Sequence, residues 1–303
     1  MFGIGNRPYL LLALAPLFWS GNHVFGRAFA EHAPPFSVAT LRWTFPALLI
    51  GTIAWRHVRN DWPAVKAHWK VFFLLSLCGG SLFTGLQYLG LHYTTALNVS
   101  VLNSLGPVAI AVIGAILFGD RLLPRQMVGI ATSMVGVLAI VTQLDLDVAL
   151  HFRFNFGDIL MLSTVVGWGV YSAFLRFVPQ VHWLTFIFML AAFSAIEGAP
   201  VMIWELASGQ RFEMSWLVVG AVAYVAIFPS ILAYGAWNRG VALIGGNRSA
   251  PFLHLTPLYS AVLAVVLLGE RIRLYHIVGF ALILVGVYLA ARRGPKPASP
   301  SAD

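Results

Sequence analysis

The chain has 303 residues, 59% of them hydrophobic and only 10% charged, with 19 Lys and Arg against 11 Asp and Glu and a formal net charge of +8. A water-facing globule carries about 25% charged residues, so this composition excludes a soluble domain and makes lipid the main solvent of the folded chain. The basic residues lie between apolar runs, with no basic stripe interleaved with aromatics, which excludes a nucleic-acid surface and reads as anchoring at an anionic membrane.

A spanning helix needs about 20 mostly apolar residues. In chain order the predicted spans are 8–29, 35–55, 69–91, 95–118, 125–143, 156–177, 183–204, 215–238, 246–268 and 274–291. The first opens like a secretory signal, with Arg7 before an apolar run and Ala28-Phe29-Ala30 resembling a cleavage site. Asn22, His23 and Arg27 stand between the two, and the run has a partner later in the chain, so it is read as a helix. It carries Trp19, Asn22 and His23 on one face at i, i+3 and i+4.

The second span holds Arg42, read as snorkelling or as pairing inside the bundle. The third carries Thr84, Gln87 and Tyr88 on one face. It also holds Cys78, a single cysteine that excludes a disulfide within the chain and reads as a packing residue. Span four places Ser100, Asn103 and Ser104 just before Gly106-Pro107. Span six carries Trp168, Tyr171 and Ser172. Span seven contains Glu197, away from the polar triplets and expected to have a structural partner. Span eight carries Tyr234, Trp237 and Asn238, and span nine places His254 and Thr256 before Pro257. Pro107 and Pro257 each remove a backbone donor and free carbonyls that need a cavity or a neighbour, as helix breaks at a gate would. Residues 292–303, with Pro295, Pro297 and Pro300, read as a disordered tail.

The strongest organisational feature is self-similarity near a shift of 150 residues. Pro107 through Phe118-Gly119-Asp120-Arg121 recurs as Pro257 through Leu268-Gly269-Glu270-Arg271. Gly129 and Gly136 recur as Gly279 and Gly286, Gly85 and Gly90 as Gly235 and Gly240, and Trp19 and Arg27 as Trp168 and Arg176. Gly129, Gly136, Gly279 and Gly286 read as close helix-packing sites. Residues 1–143 and 144–291 form two five-helix repeats, and an odd helix number makes the second enter the bilayer from the opposite side. With the amino terminus cytoplasmic, thirteen Lys and Arg fall in inner segments and five in outer ones, so both termini are expected on the cytoplasmic side.

The expected fold is therefore an all-α integral membrane protein, ten transmembrane helices in two inverted five-helix repeats around a central cavity. Polar side chains are expensive in hydrocarbon and turn toward a bundle interior or a wet cavity. The candidate substrate-binding set is Trp19, Asn22, His23, Thr84, Gln87, Tyr88, Asn103, Trp168, Tyr171, Tyr234, Trp237, Asn238 and His254. An aromatic, amide-rich lining with little charge suits a small amphipathic solute, whereas phosphate would call for intramembrane Lys or Arg. No His-Glu-x-x-His, Gly-x-Ser-x-Gly or paired intramembrane aspartates occur, so a membrane enzyme is not expected, nor any cofactor or metal.

On the repeat, on Gly119-Asp120-Arg121 with its copy Gly269-Glu270-Arg271, and on the glycine-rich last helix of each half, the chain resembles the drug/metabolite transporter superfamily in its ten-helix EamA-type branch. Within that branch, Leu17-Phe18-Trp19-Ser20-Gly21-Asn22 is most similar to exporters of aromatic amino acids. The resemblance implies efflux of aromatic and other amino acids across a bacterial inner membrane through a cavity between helices 1, 3, 4, 6, 8 and 9. Other neutral metabolites or drugs are the alternative cargo, and a monomer is the expected state.

Overall fold

In a computed structural model the chain is described over residues 7–30, 33–151, 153–213, 215–268 and 273–291. The side chains of Asn22, His23 and Arg27, the loop Gly269-Glu270-Arg271 and the tail 292–303 lie outside the described residues. All regular structure among the described residues is helical. The helices are α1 (Pro8–Ala30), α2 (Pro35–Ala67), α3 (Trp69–Leu91), α4 (Asn98–Phe118), α5 (Pro124–Val141), α6 (Phe156–Phe177), α7 (Trp183–Ala207), α8 (Val218–Ile244), α9 (Leu255–Leu268) and α10 (Leu274–Ala291).

Among the described residues eight of these, α2 to α8 and α10, are long and apolar enough to cross a membrane. The apolar part of α1, Pro8–Gly21, is shorter. Chain 246–254 folds into two short helical turns, Gly246–Ser249 and Ala250–His254, before the 14 residues of α9. Helix α2 departs from the predicted 35–55 span by continuing to Ala67. At about 1.5 Å per residue it outruns a ~30 Å hydrocarbon layer, and the excess carries the polar run Arg56 to Asp61.

Two antiparallel helix pairs frame the bundle. In the first, α2 and α7 cap each other. Pro34 precedes α2 without a side-chain cap. Instead the Glu205 carboxylate, near the end of α7, accepts from Phe36 N at 3.0 Å and from Ser37 N and Oγ at 2.7 Å each. A carboxylate suits the exposed N–H groups and positive dipole end of a helix. At the other end Asp61 of α2 accepts from His182 N at 2.8 Å and Thr185 Oγ at 2.6 Å, at the start of α7. The second pair is α5 with α10, where glycine lets the backbones touch. A Cβ on Gly129 would lie 2.6 Å from Gly286 O, and one on Gly136 would lie 2.8 Å from Gly279 O. The predicted role of these glycines as close-packing sites is the observed one.

Helices α1, α3, α6 and α8 fill the space between the pairs, and their aromatic residues join the main core. Both α3 and α8 carry a π-bulge, over Leu77–Ser81 and Phe228–Ala233. Such bulges insert an i→i+5 bond, redirect side chains and favour functional positions.

Candidate functional site

The π-bulges decide what the centre looks like. In α3 the bulge turns the Gly79 carbonyl inward, where the Tyr234 hydroxyl of α8 donates to it. Gly79 must lack a side chain, because a Cβ there would collide with the Tyr171 ring. In α8 the bulge turns the Pro229 carbonyl toward α1, and Trp19 Nε1 donates to it at 3.2 Å.

Trp19 of the α1 triplet meets the triplets predicted on α6 and α8 there. Trp19 lies edge-on to Trp168, with ring centroids 5.2 Å apart, and 5.7 Å from both Tyr234 and Trp237. Trp168 stacks on Tyr171 at 5.0 Å and lies 5.8 Å from Trp237. Trp43 and Phe83, which the sequence patterns did not single out, complete the cage against Tyr234 at 5.1 Å and Trp168 at 5.3 Å. Edge-to-face aromatic packing of this kind adds ~0.5–1.5 kcal/mol per pair beyond area burial.

Tyr171 donates to Asn238 Oδ1 at 2.6 Å, and Trp43 Nε1 donates to Thr84 Oγ1 at 3.2 Å. Four buried polar atoms around the Trp168–Trp237 pair have no hydrogen-bond partner: Trp168 Nε1, Trp237 Nε1, Asn238 Nδ2 and Ser172 Oγ. An unpartnered buried donor costs about 1–3 kcal/mol. Four in one cage mark a place where polar atoms from outside the chain are expected to bind.

The remaining predicted residues divide. Gln87 is buried on α3, and Asn103 is half-buried where α4 breaks at the Ser104-Leu105 turn ahead of Pro107. The matching break, the Ala250–His254 turn, precedes Pro257. Tyr88 borders the cage through Arg42: its hydroxyl accepts from Arg42 Nη1 at 3.0 Å, and the Arg42 guanidinium lies 5.7 Å from the Trp43 ring centroid. Arg42 is 2% exposed and also donates through Nε to Ser230 Oγ at 2.9 Å, so it pairs inside the bundle and does not snorkel. His254 sits outside the cage, with Nδ1 at 2.6 Å from Ser133 Oγ and Nε2 at 2.8 Å from Ser104 O. A carbonyl only accepts, so Nε2 carries the hydrogen, and both ring nitrogens already have protein partners.

Glu197 has the structural partners expected of it, Ser76 Oγ and Ser81 Oγ, each 2.5 Å away. It is not the only carboxylate enclosed by the spans, because Asp158 and Glu205 are buried at 0% and 3% exposure. Both sit near helix ends, where a sequence reading assigns charge to the interface. Their burial depends on a neighbouring helix start or loop that sequence spacing does not show.

The fold and cage define a multi-pass membrane protein with an aromatic interior site. Comparison with known proteins gives the class. The model of the EamA-like transporter family matches residues 6–142 and again 155–292, and the chain belongs to that family. It is 28% identical to an uncharacterized transporter of Archaeoglobus fulgidus over 96% of this chain and 99% of the relative. It is 25% identical to the "Probable amino-acid metabolite efflux pump" of Salmonella typhimurium over 94% and 95% of the two chains. A solved crystal structure shares the fold at a TM-score of 0.69 and 22% identity, covering 94% of this chain and 96% of the other. The chain is thus a membrane transporter of small molecules.

Proposed function

We propose that the protein exports aromatic and other amino acids across a bacterial inner membrane by alternating access. In this reading ten helices form two inverted halves, 1–143 and 144–291, with both termini in the cytoplasm. The twofold character has structural support. The mutual caps of α2 and α7 and the glycine seam of α5 and α10 each pair corresponding helices of the two halves. The π-bulges of α3 and α8 start at Leu77 and Phe228, about one repeat length apart.

The single observation that carries the substrate class is the set of unpartnered atoms in the cage. Three N–H donors and one hydroxyl call for an acceptor, and a carboxylate is the acceptor best matched to several N–H groups. The surrounding rings offer faces to an ammonium group and edges to an apolar or aromatic side chain. An α-amino acid presents all three parts in one small molecule. The relative named an amino-acid metabolite efflux pump supports the same class.

The test is counterflow in proteoliposomes loaded with unlabelled amino acid. Labelled phenylalanine and tryptophan are expected to enter faster than in protein-free vesicles, and decarboxylated analogues are expected not to compete. Absence of counterflow for every amino acid in a broad panel, with flux of other neutral metabolites instead, refutes the assignment. Reporter fusions placing the two termini on opposite faces of the membrane would overturn the paired-halves architecture.

A further inference from the structure

Glu197 lies midway along α7, where the bundle is wrapped in apolar side chains, and it is half-buried. Its oxygens reach the two hydroxyls that bracket the α3 bulge. Ser76 Oγ is 2.5 Å from Oε1, and Ser81 Oγ is 2.5 Å from Oε2. Ser76 Oγ is also 2.8 Å from the Phe73 carbonyl oxygen. These are three oxygen–oxygen contacts of hydrogen-bond length, served by at most two serine hydrogens. A serine hydroxyl supplies one, so Ser76 and Ser81 provide two. A Ser76 hydroxyl committed to Phe73 O leaves Oε1 without a donor unless the carboxyl carries a proton and gives it to Ser76 Oγ; otherwise Ser76 shares one hydrogen between the two acceptors.

The other buried carboxylates behave differently. Every contact to Glu205, from Phe36 N, Ser37 N and Ser37 Oγ, brings its own hydrogen. So do the contacts to Asp158 from Asn155 N, Asn98 Nδ2 and Thr94 Oγ. The titratable group facing Glu197 is the Cys78 thiol of α3, and no cation faces it among the described residues. From α2, packed on the other side of α7, Thr40 meets Gly198, while Arg42 turns away to Ser230 and Tyr88. Ionising Glu197 in place would leave an anion held by two hydroxyls and no cation in the apolar layer, where hydration through movement of α3 would stabilise it.

That movement reaches the cage. The bulge between Ser76 and Ser81 holds the Gly79 carbonyl that Tyr234 bonds and the glycine face that Tyr171 covers. The α8 bulge has a counterpart arrangement with a permanent charge, since Arg42 Nε donates to Ser230 Oγ within it. One bulge is thus held by a fixed cation and the other by a group that can gain and lose a proton.

We infer that Glu197 is a proton-binding site that couples substrate export to proton entry through the α3 bulge. Each cycle moves one proton inward, taken from water on the outer side and released to water on the inner side, against substrate moving outward. The coupling rests on the proposed export activity, whereas the protonated carboxyl does not.

Two measurements separate them. Infrared spectroscopy of the purified protein in lipid is expected to show a carboxylic C=O stretch at neutral pH that Glu197→Gln removes. In proteoliposomes with an acid interior and the membrane potential clamped at zero, one proton per substrate corresponds to about tenfold accumulation of labelled phenylalanine per pH unit. Glu197→Gln is expected to retain counterflow but accumulate nothing above equilibrium. A spectrum without that band, or a band unchanged in the variant, overturns the site. Equal accumulation by the variant, or none by a wild type active in counterflow, overturns the coupling. A wild type inactive toward phenylalanine counts against the substrate assignment, and the infrared result still decides Glu197. Ser76→Ala with Ser81→Ala gives a second route, because loss of both hydroxyls is expected to shift the band while leaving its acid present.

Discussion

The α5–α10 seam and the aromatic cage are both buried contacts between the two halves of the chain, yet they are built on opposite rules. At the seam backbone meets backbone, and Ser133 keeps its hydroxyl within bonding distance of the Gly129 carbonyl at 2.9 Å. At the cage large rings meet at 5.0–5.8 Å while four polar atoms go without partners. The seam is optimised for its own stability. The cage tolerates unsatisfied donors, as sites kept for a ligand do. On the proposed reading the seam is scaffold and the cage is the surface that meets substrate.

The comparison can be broken most forcefully at the seam. A Cβ added by Gly286→Ala would lie 2.5 Å from Gly129 O, with no flexible side chain to yield. A loss of about 3 kcal/mol is expected, read as a fall in Tm of roughly 5 °C. Transport per folded molecule should persist. The α2 cap comes next. Glu205→Ala strips the partner from Phe36 N and Ser37 N, and about 2–3 kcal/mol should be lost, again in Tm.

At the cage the signs reverse. Trp168→Phe keeps a ring but deletes an N–H that no protein group uses. Stability should fall by only ~1 kcal/mol, from lost ring volume. Affinity for an amino acid should fall about tenfold, the value of one charge-assisted hydrogen bond of ~1.4 kcal/mol. Equal affinities in competition counterflow would show that Trp168 Nε1 does not touch substrate.

The smallest expected effect lies at the α2–α7 cap. His182, just ahead of α7, accepts from Leu184 N through Nδ1 and stacks on His57 with ring centroids 3.7 Å apart. Partial burial, with the His57 imidazole beside it, holds His182 below the ordinary histidine value, against the pull of Asp61. The folded state therefore prefers the neutral ring. Its contribution is present above the unfolded value of about 6.5 and is lost as pH falls below it. A slight drop in Tm on acidification is expected, and His182→Asn, which keeps a capping acceptor, should remove it.

Much of the span pattern was legible beforehand. The predicted 69–91 and 274–291 coincide with Trp69–Leu91 and Leu274–Ala291, because an uninterrupted apolar run of membrane length has one economical conformation. The triplets on α1, α6 and α8 were legible as faces through i, i+3, i+4 spacing. The bulges were not, since inserting one residue into the hydrogen-bond ladder leaves hydropathy unchanged. Gly79-Gly80 and Pro229 were the only hints. His254 looked like a cavity residue because it precedes a proline, but Ser133 on a distant helix takes one of its nitrogens.

Amino-acid order alone settled the solvent of this chain, its helical state and the faces that avoid lipid, because those follow from transfer free energies and helical period within single segments. Which donors stay unpaired, which carboxylates find backbone N–H groups and which one meets only serine hydroxyls depend on atoms brought together from segments more than a hundred residues apart. Hydrogen bonds act over about 3 Å, and only the packed bundle sets distances on that scale.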